Sequence, residues 1–351
     1  MVFLGVSMIH NKTGNLLTAE VDALVNTVNC VGVMGKGIAL QFKQAFPDNF
    51  KAYAAACKKK QVGLGKIFVY DNSDLIKPNF IVNFPTKDHW KNKSNLADIQ
   101  TGLQSLVEWI IDNNITSIAL PPLGAGLGGL SWNKVKLEIE NAFKQCPNID
   151  VWLYAPLGVP NAKNMPVKTT TPNMTVGRAA LIELMARYQQ QGYQHSLLEI
   201  QKLMYFMQAA GEPLRLKYTK HIYGPYAENL NHVLQRIEGH FIRGYGDRSS
   251  KAQSAQIELL PNAVEQANEF LELNPEAKER IENVAQLIKG FESPYGVELL
   301  STVHWVAKNA DIENTADVVT KVYQWNERKR HLMKTKHIEK AYNTLQQQAW
   351  I

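Results

Sequence analysis

Residues 25–42 read VNTVNCVGVMGKGIALQF. An apolar run carrying Asn26 and Asn29 gives way to a short loop with glycines at 32, 35 and 37. Beyond it Ile38, Phe42, Ala45 and Phe46 recur at the spacing of one helix face. The pattern predicts a strand, a glycine loop and the mouth of a helix. Glycine lets peptide N–H groups approach a ligand with no Cβ in the way, and a helix N-terminus attracts anions. A second loop of this kind, PPLGAGLGGLSW at Pro121–Trp132, follows the apolar run Ser117–Leu120 and precedes a helical pattern from Trp132 to Phe143. One such loop is no more than a tight turn; two in one domain suit a diphosphate held from two sides.

On either side of these loops, apolar runs at Ala23–Val28, Ile67–Tyr70, Phe80–Phe84 and Val151–Tyr154 predict further strands, and Leu96 to Ile111 predicts a helix. Strands apolar on both faces and separated by helices predict a sheet covered on each side, an α/β domain. Residues 156–176, PLGVPNAKNMPVKTTTPNMTV, hold four prolines and no period, the composition of a linker. From Gly177 onward helical patterns dominate, as in LLEIQKLMYFMQAA and NLNHVLQRIEGHF, and residues 177–351 are predicted to form a mainly α-helical domain. No internal repeat is visible.

The 351 residues suffice for two domains with real cores. No apolar run approaches the ~18 residues of a membrane span, and the N-terminus lacks the layout of a signal peptide, so a cytoplasmic protein without membrane attachment is expected. Three cysteines, Cys30, Cys57 and Cys146, have no CxxC spacing, and no histidine pair stands at i, i+4. Those spacings exclude a disulfide scaffold, a zinc ribbon and an HExxH-type site. The net charge of +6 is spread over both halves; residues 1–155 carry 15 lysines, no arginine and 12 acidic residues. A mild surplus of this kind is compatible with an anionic partner.

Competing phosphate motifs fail on inspection. A P-loop needs GxxxxGK followed by Ser or Thr, but Cys30 stands at its first glycine and Gly37 follows Lys36. Gly124 to Gly129 matches GxGxxG, yet a dinucleotide fold wants an acidic residue at the end of the next strand. The strand Val151–Tyr154 ends in Ala155-Pro156. Hydride transfer is disfavoured; a bound diphosphate is not.

At these residues the chain resembles a known family. VNTVNC resembles the VNAAN strand end of macrodomains, Gly14-Asn15-Leu16-Leu17 their adenine-side motif, and GAGLGG their second phosphate loop. The series NTVNCVGVMGKGIALQFK, NFPTK and LPPLGAGLGGLSW is similar in order and spacing to the DarG branch. Members of that branch are DNA ADP-ribosyl glycohydrolases that serve as antitoxins to DarT-type toxins. The resemblance covers essentially all of residues 1–155. It implies a macrodomain there, an α/β/α sandwich with a mixed sheet, followed by a helical toxin-binding antitoxin domain.

The same resemblance implies an ADP-ribose cleft. Asn15, with Leu16, would face the adenine; the family often has aspartate here, so this amide meets the base without charge. Asn29 would bond the distal ribose, with Asn26 beside it, although backbone capping at a strand end is a rival for Asn26. Met34, Gly35, Lys36 and Gly37 would line the distal ribose and phosphate. Thr86 would lie beside them, and Pro122, Leu123, Gly124, Ala125, Gly126, Leu127 and Gly128 would wrap the diphosphate. No metal or cofactor is implied.

Lys87, in NFPTKDHW, is the expected catalytic residue. A lysine at the end of a buried strand can be partly desolvated, and a neutral amine can attack an electrophilic sugar carbon or polarise a leaving group. Against this stands the ordinary reading of a solvated loop lysine. Related macrodomains pair the lysine with an aspartate in the second glycine loop; the matching residue here is Gly128. Asp88, His89 and a substrate phosphate are the alternatives for an acid. The implied substrate is ADP-ribose on thymine in single-stranded DNA, with Trp90, Lys91 and Lys93 as candidates to stack a base and hold phosphates, or else a plain polar loop. The other readings are a non-catalytic ADP-ribose-binding module and a hydrolase of protein-linked ADP-ribose.

In the second domain, LLEIQKLMYFMQAAGEPL and HIYGPYAENLNHVL resemble Panacea-type antitoxin modules, while Leu203, Tyr205, Phe206 and Met207 also suit an ordinary helix core. Between Glu258 and Glu298 stand nine glutamates against Lys278, Arg280 and Lys289. Such a segment is either a solvated face or a surface that imitates DNA phosphates toward a toxin.

Overall fold

The computed structural model describes residues 8–72, 76–146, 148–156, 164–189, 195–247 and 256–351. The chain divides into two compact units: residues 1–170 with 246–249, and residues 171–245 with 250–351. Part of the expected linker, 157–163, lies outside the described residues. Of the rest, Met165 is buried and the Lys168 N–H donates to Gln44 O at 2.8 Å, so this stretch packs within the first unit.

The first unit opens with β1 (Met8–Lys12), a 3-10 turn at Leu16–Thr18, β2 (Ala23–Val28), α1 (Gly37–Ala45) and α2 (Pro47–Lys58). It continues with β3 (Phe68–Asp71), β4 (Phe80–Pro85), α3 (Leu96–Asp112), β5 (Ser117–Leu120), α4 (Trp132–Phe143) and β6 (Asp150–Tyr154). The sheet order is β1-β6-β5-β2-β4-β3, with every pair parallel except the antiparallel edge β3–β4. This is the mixed α/β/α sandwich that the sequence predicts.

Alternation along the strands divides two cores. Ala23, Val25, Val82, Phe84 and Ile118 face α3 and α4, meeting Leu103, Leu106, Val135 and Ile139. Leu24, Ile81 and Ala119 face the other way, toward Phe42 and Ala45 of α1 and Phe46 at its C-cap. Both faces are dry, which explains why the central strands are apolar throughout. Strand β1 was not predicted because it is an edge: MIHNK is exposed at three of its five positions. Helix α2 was likewise not predicted; its PDNFKAYAAACK buries only Asn49, Tyr53, Ala56 and Cys57, a narrow stripe.

Because the strands run parallel, the C-terminal ends of β2, β4 and β5 open on one edge of the sheet. Strand β2 leads to α1 on one face, and its neighbour β5 leads to α4 on the other. Loops that depart to opposite faces leave a crevice between them, the place where open α/β sheets bind ligands.

The second unit comprises α5 (Val176–Gln189), α6 (Leu197–Ala209), a hairpin of β7 (Tyr218–His221) and β8 (Gly224–Ala227), and α7 (Leu230–Ile237). Then come paired β9 (Ile242–Arg243) and β10 (Glu258–Leu259), followed by α8 (Ala263–Glu272), α9 (Pro275–Ile288), α10 (Pro294–Asn309), α11 (Thr315–Tyr323), α12 (Glu327–Leu332) and α13 (Thr335–Gln347). Helix α6 is buried nearly all round, with Leu203, Tyr205, Phe206 and Met207 all in the core. No helix among the described residues is long and apolar enough to cross a membrane.

The acidic segment splits in two. Glu265, Glu269, Glu272, Glu276, Glu279 and Glu282 are exposed on α8 and α9, and of these Glu272, Glu276 and Glu282 pair with Lys278, Arg280 and Arg187. Glu298 instead lies inside, receiving Arg328 and the Nζ of Lys329, the latter at 2.7 Å. Burial alone would raise its pKa, but the hydrogen bonds and charge of those two cations hold it below the usual value.

Lys202 is fully buried as well, and its Nζ donates to Pro225 O at 2.5 Å. Burial, helped by the charge of Lys329, pushes its pKa from 10.5 down to about 7. The folded pKa lies below the unfolded one, so between them the unfolded chain binds the extra proton and stability climbs as pH rises. One such group contributes up to about 1.4 kcal/mol per pH unit. Burial likewise lowers the pKa of Lys329, to about 8. Denaturant titrations from pH 7 to 9 should therefore show a rising slope in the wild type. Lys202→Met should reduce it to the share of Lys329, most clearly between pH 7 and 8.

Candidate active site

Three loops meet at the crevice: 29–36 after β2, 86–95 after β4 and 121–131 after β5. The first is held by Asn29, whose Oδ1 accepts from the N–H groups of Val31 at 3.0 Å and Val33 at 3.3 Å while its Nδ2 donates to Val33 O at 2.6 Å. The buried Tyr53 hydroxyl clamps the same residue by donating to Asn29 O at 2.5 Å. The asparagine expected at the ribose is thus also the staple of its own loop. Asn26 is fully buried and donates from Nδ2 to Asn83 Oδ1 at 3.1 Å, joining β2 to β4, while Asn83 Nδ2 donates to Asn49 Oδ1 at 2.7 Å. This row of amides accounts for a polar residue inside the sheet.

Met34, Leu16 and Leu123 are interior side chains, Met34 beside Val28 and Tyr53, Leu16 under α1, and Leu123 with α3 and α4. Asn15 caps the 3-10 turn, its Oδ1 accepting from Leu17 N at 3.1 Å and its Nδ2 donating to Asn164 O at 3.4 Å. Lys36 is exposed at the N-cap of α1, which has no side-chain cap. The opening N–H of α1, on Gly37, donates to Asp247 O at 3.0 Å, and Gln41 Nε2 donates to Asp247 Oδ2 at 2.6 Å. Asp247 stands 206 residues from Gln41, and no local pattern could have announced it. A ligand reaching that N–H has to displace this carbonyl.

The second glycine loop is a compact turn, with Ala125 N donating to Pro122 O at 3.0 Å and Leu130 N to Gly124 O at 3.0 Å. Among the described residues the N–H groups of Gly126, Leu127 and Gly128 have no protein acceptor. Successive free amides of this kind form an anion-binding concavity. Ser94, an unmarked residue of the polar stretch KNKSN, seals one side: its N–H donates to Gly128 O at 3.0 Å, and its buried Oγ lies where a Cβ on Gly128 would point. Position 128 has no room for a side chain.

Lys87 stands where the three loops meet. The N–H of Thr86 donates to Val28 O at 2.9 Å and that of Cys30 to Asp88 O at 2.9 Å, fixing the lysine beside the first loop. Its Nζ reaches across to Leu127 O of the second loop at 3.4 Å. Burial lowers its pKa from 10.5, and no carboxylate among the described residues pairs with it to reverse the shift. Asp88 is poorly suited as an acid, since hydrogen bonds from the Asn92 side chain and the His89 N–H lower its pKa. His89 Nδ1 accepts from Lys91 N at 3.3 Å. Cys30 is not a thiolate nucleophile, because burial, with Cys57 and Asp88 near, pushes its pKa up to about 11. Among the described residues no His, Cys, Asp or Glu cluster could hold a metal.

Residues 25–137 match the Macro domain family. A DNA ADP-ribosyl glycohydrolase of Thermus aquaticus is 47% identical over 338 residues, covering 96% of this chain and 93% of that protein. A DNA ADP-ribosyl transferase–DNA ADP-ribosyl glycohydrolase fusion protein of Thermosipho africanus is 39% identical over 137 residues, 35% of each chain. The solved macrodomain of Mycobacterium tuberculosis DarG is 53% identical, covering 43% of this chain and 99% of that one with a TM-score of 0.42. The chain belongs to the DNA ADP-ribosyl glycohydrolase (DarG) family of macrodomain enzymes.

Proposed function

We propose that this protein hydrolyses the N-glycosidic bond between ADP-ribose and a thymine base of DNA, and that its helical unit binds a DarT-type toxin. One observation carries the first half: a partly buried lysine with no carboxylate partner among the described residues, set between two glycine loops at the sheet's switch point. The free amides at 126–128 and the mouth of α1 hold the diphosphate, with Lys36 alongside, and Asn29 and Asn15 orient the ribose and adenine ends. Positioned so, the distal anomeric carbon meets the neutral Lys87 amine. Nitrogen bonds to that carbon as the carbon–thymine bond breaks, and the proton lost by the new ammonium passes through water to the thymine nitrogen. The nitrogen lone pair then forms a C=N bond as the bond from the anomeric carbon to the ring oxygen breaks, the remaining N–H proton passing to that oxygen. Water adds to this Schiff base, and cleavage of the carbon–nitrogen bond releases ADP-ribose and restores the lysine. The amine itself supplies the proton, so the scheme needs no aspartate at 128.

The test is release of ADP-ribose from a thymidine-ADP-ribosylated oligonucleotide. Release supports the reading. Micromolar ADP-ribose binding without release makes the protein a reader, and release only from protein-linked ADP-ribose moves the substrate.

For the toxin, support comes from a relative that joins transferase and glycohydrolase in one chain and from the exposed glutamates of α8 and α9. The domain roles proposed are macrodomain at 1–155 and toxin binding at 177–351. Charge reversal at Glu269, Glu272, Glu276 and Glu279 is expected to weaken co-purification of full-length protein with its toxin. Unchanged recovery would remove that surface from the interface.

A further inference from the structure

Several apolar side chains stand exposed on the tips of the three loops: Val31 and Val33 on the first, Trp90 on the second and Leu127 on the third. Trp90 is 51% exposed and is the one exposed tryptophan among the described residues. Its loop is nonetheless firmly built. Asp88 Oδ1 accepts from His89 N at 2.7 Å and Asn92 Nδ2 at 2.9 Å, Asn92 N donates to His89 O at 3.0 Å, and Ser94 N anchors the far end on Gly128. The acidic group of the loop is thereby consumed within it. What faces outward is the indole, with the His89 ring 5.3 Å away and the Lys91 Nζ 5.1 Å from its centroid, and exposed Lys93 beyond.

A rigid aromatic face flanked by cations, a few residues from Lys87, fits one kind of partner. Bases of a single strand expose their π-faces for stacking while their phosphates seek cations; a duplex hides those faces, and an acidic protein surface offers none. We infer that Trp90, with Lys91 and Lys93, forms a platform that stacks an unpaired base neighbouring the ADP-ribosylated one and grips the adjoining phosphate. This rests on the glycohydrolase reading of the same site and adds to it how the enzyme would engage a strand rather than a lone modified nucleoside.

The experiment compares two substrates of full-length protein that share the scissile bond: a single-stranded ADP-ribosylated oligonucleotide and ADP-ribosylated thymidine. Trp90→Ala should raise KM for the oligonucleotide about tenfold, the scale of one lost stack, with kcat little changed, and leave kcat/KM for the nucleoside unaltered. Trp90→Phe, which keeps an aromatic face, should recover most of the loss. Equal losses on both substrates would reduce Trp90 to a structural role and overturn the platform, as would no loss on either. If the wild type cleaves neither substrate, the glycohydrolase reading fails by itself. The platform is then judged by anisotropy with unmodified single-stranded oligonucleotide, where Trp90→Ala should weaken binding about tenfold and unchanged binding would overturn it.

Discussion

Lys87→Ala should slow ADP-ribose release by about 10²-fold or more while leaving ADP-ribose binding nearly intact. The two effects separate because the lysine sits between the two glycine loops without building either. The first loop is held by Asn29 and Tyr53 and the second by its own turn and Ser94. Lys87 Nζ contributes one long bond, to Leu127 O. Arginine at the same position is the sharper variant. Its guanidinium does not lose a proton at accessible pH, so Lys87→Arg should be as inactive as alanine if a neutral amine attacks the sugar. Partial activity would mean that a positive charge polarising the leaving group suffices. Wild-type activity should also rise with pH, since burial lowers the pKa and deprotonation generates the nucleophile. The checks are single-turnover release from the oligonucleotide across pH and calorimetric titration with ADP-ribose.

Gly128→Asp, the change that would restore the acid of related macrodomains, should damage the site instead. A Cβ at 128 would fall within 3.0 Å of Gly124 O and Ser94 Oγ, and the first of these is backbone that cannot step aside cheaply. Relieving the clash means opening the turn, at about 1–3 kcal/mol as for other overpacked interiors, and re-aiming the free amides of 126–128. ADP-ribose affinity should fall about tenfold or more, since one lost hydrogen bond to a charged group is of that size. Gly128→Ala should behave alike, which identifies volume rather than charge as the cause. Gly126→Ala is the control: its Cβ meets nothing within 4 Å. Titration calorimetry with thermal melting distinguishes the three. Full activity in Gly128→Asp would refute the steric account.

Much of the first unit was legible because its signals are local. Strands β2, β4 and β5 are apolar on both faces since both faces are covered, and the glycines mark turns where a Cβ is a burden. Lys87 stood out through the family motif and its place at a strand end. The edge strand β1 was lost because an edge pairs on one side and leaves MIHNK largely wet. The site asparagines were visible as residue types but not in what they bond. Asn26 joins a buried amide row with Asn83 and Asn49, and Asn29 folds back on its own loop.

Readable in the chain alone were the alternation of strands β2 to β6 with their covering helices α1, α3 and α4, the two glycine loops, the lysine between them and the family resemblance they carry. Only the folded chain shows that Ser94 fills the space beside Gly128, that Asp247 meets the first amide of α1, and that the lysine's Nζ reaches the opposite loop with no carboxylate partner among the described residues. The division has a physical cause. Backbone propensity and burial periodicity act over a few residues and leave a pattern in the chain. Steric exclusion, desolvation and hydrogen-bond partnership depend on which distant atoms arrive at one point, and those are set only when the sheet has closed.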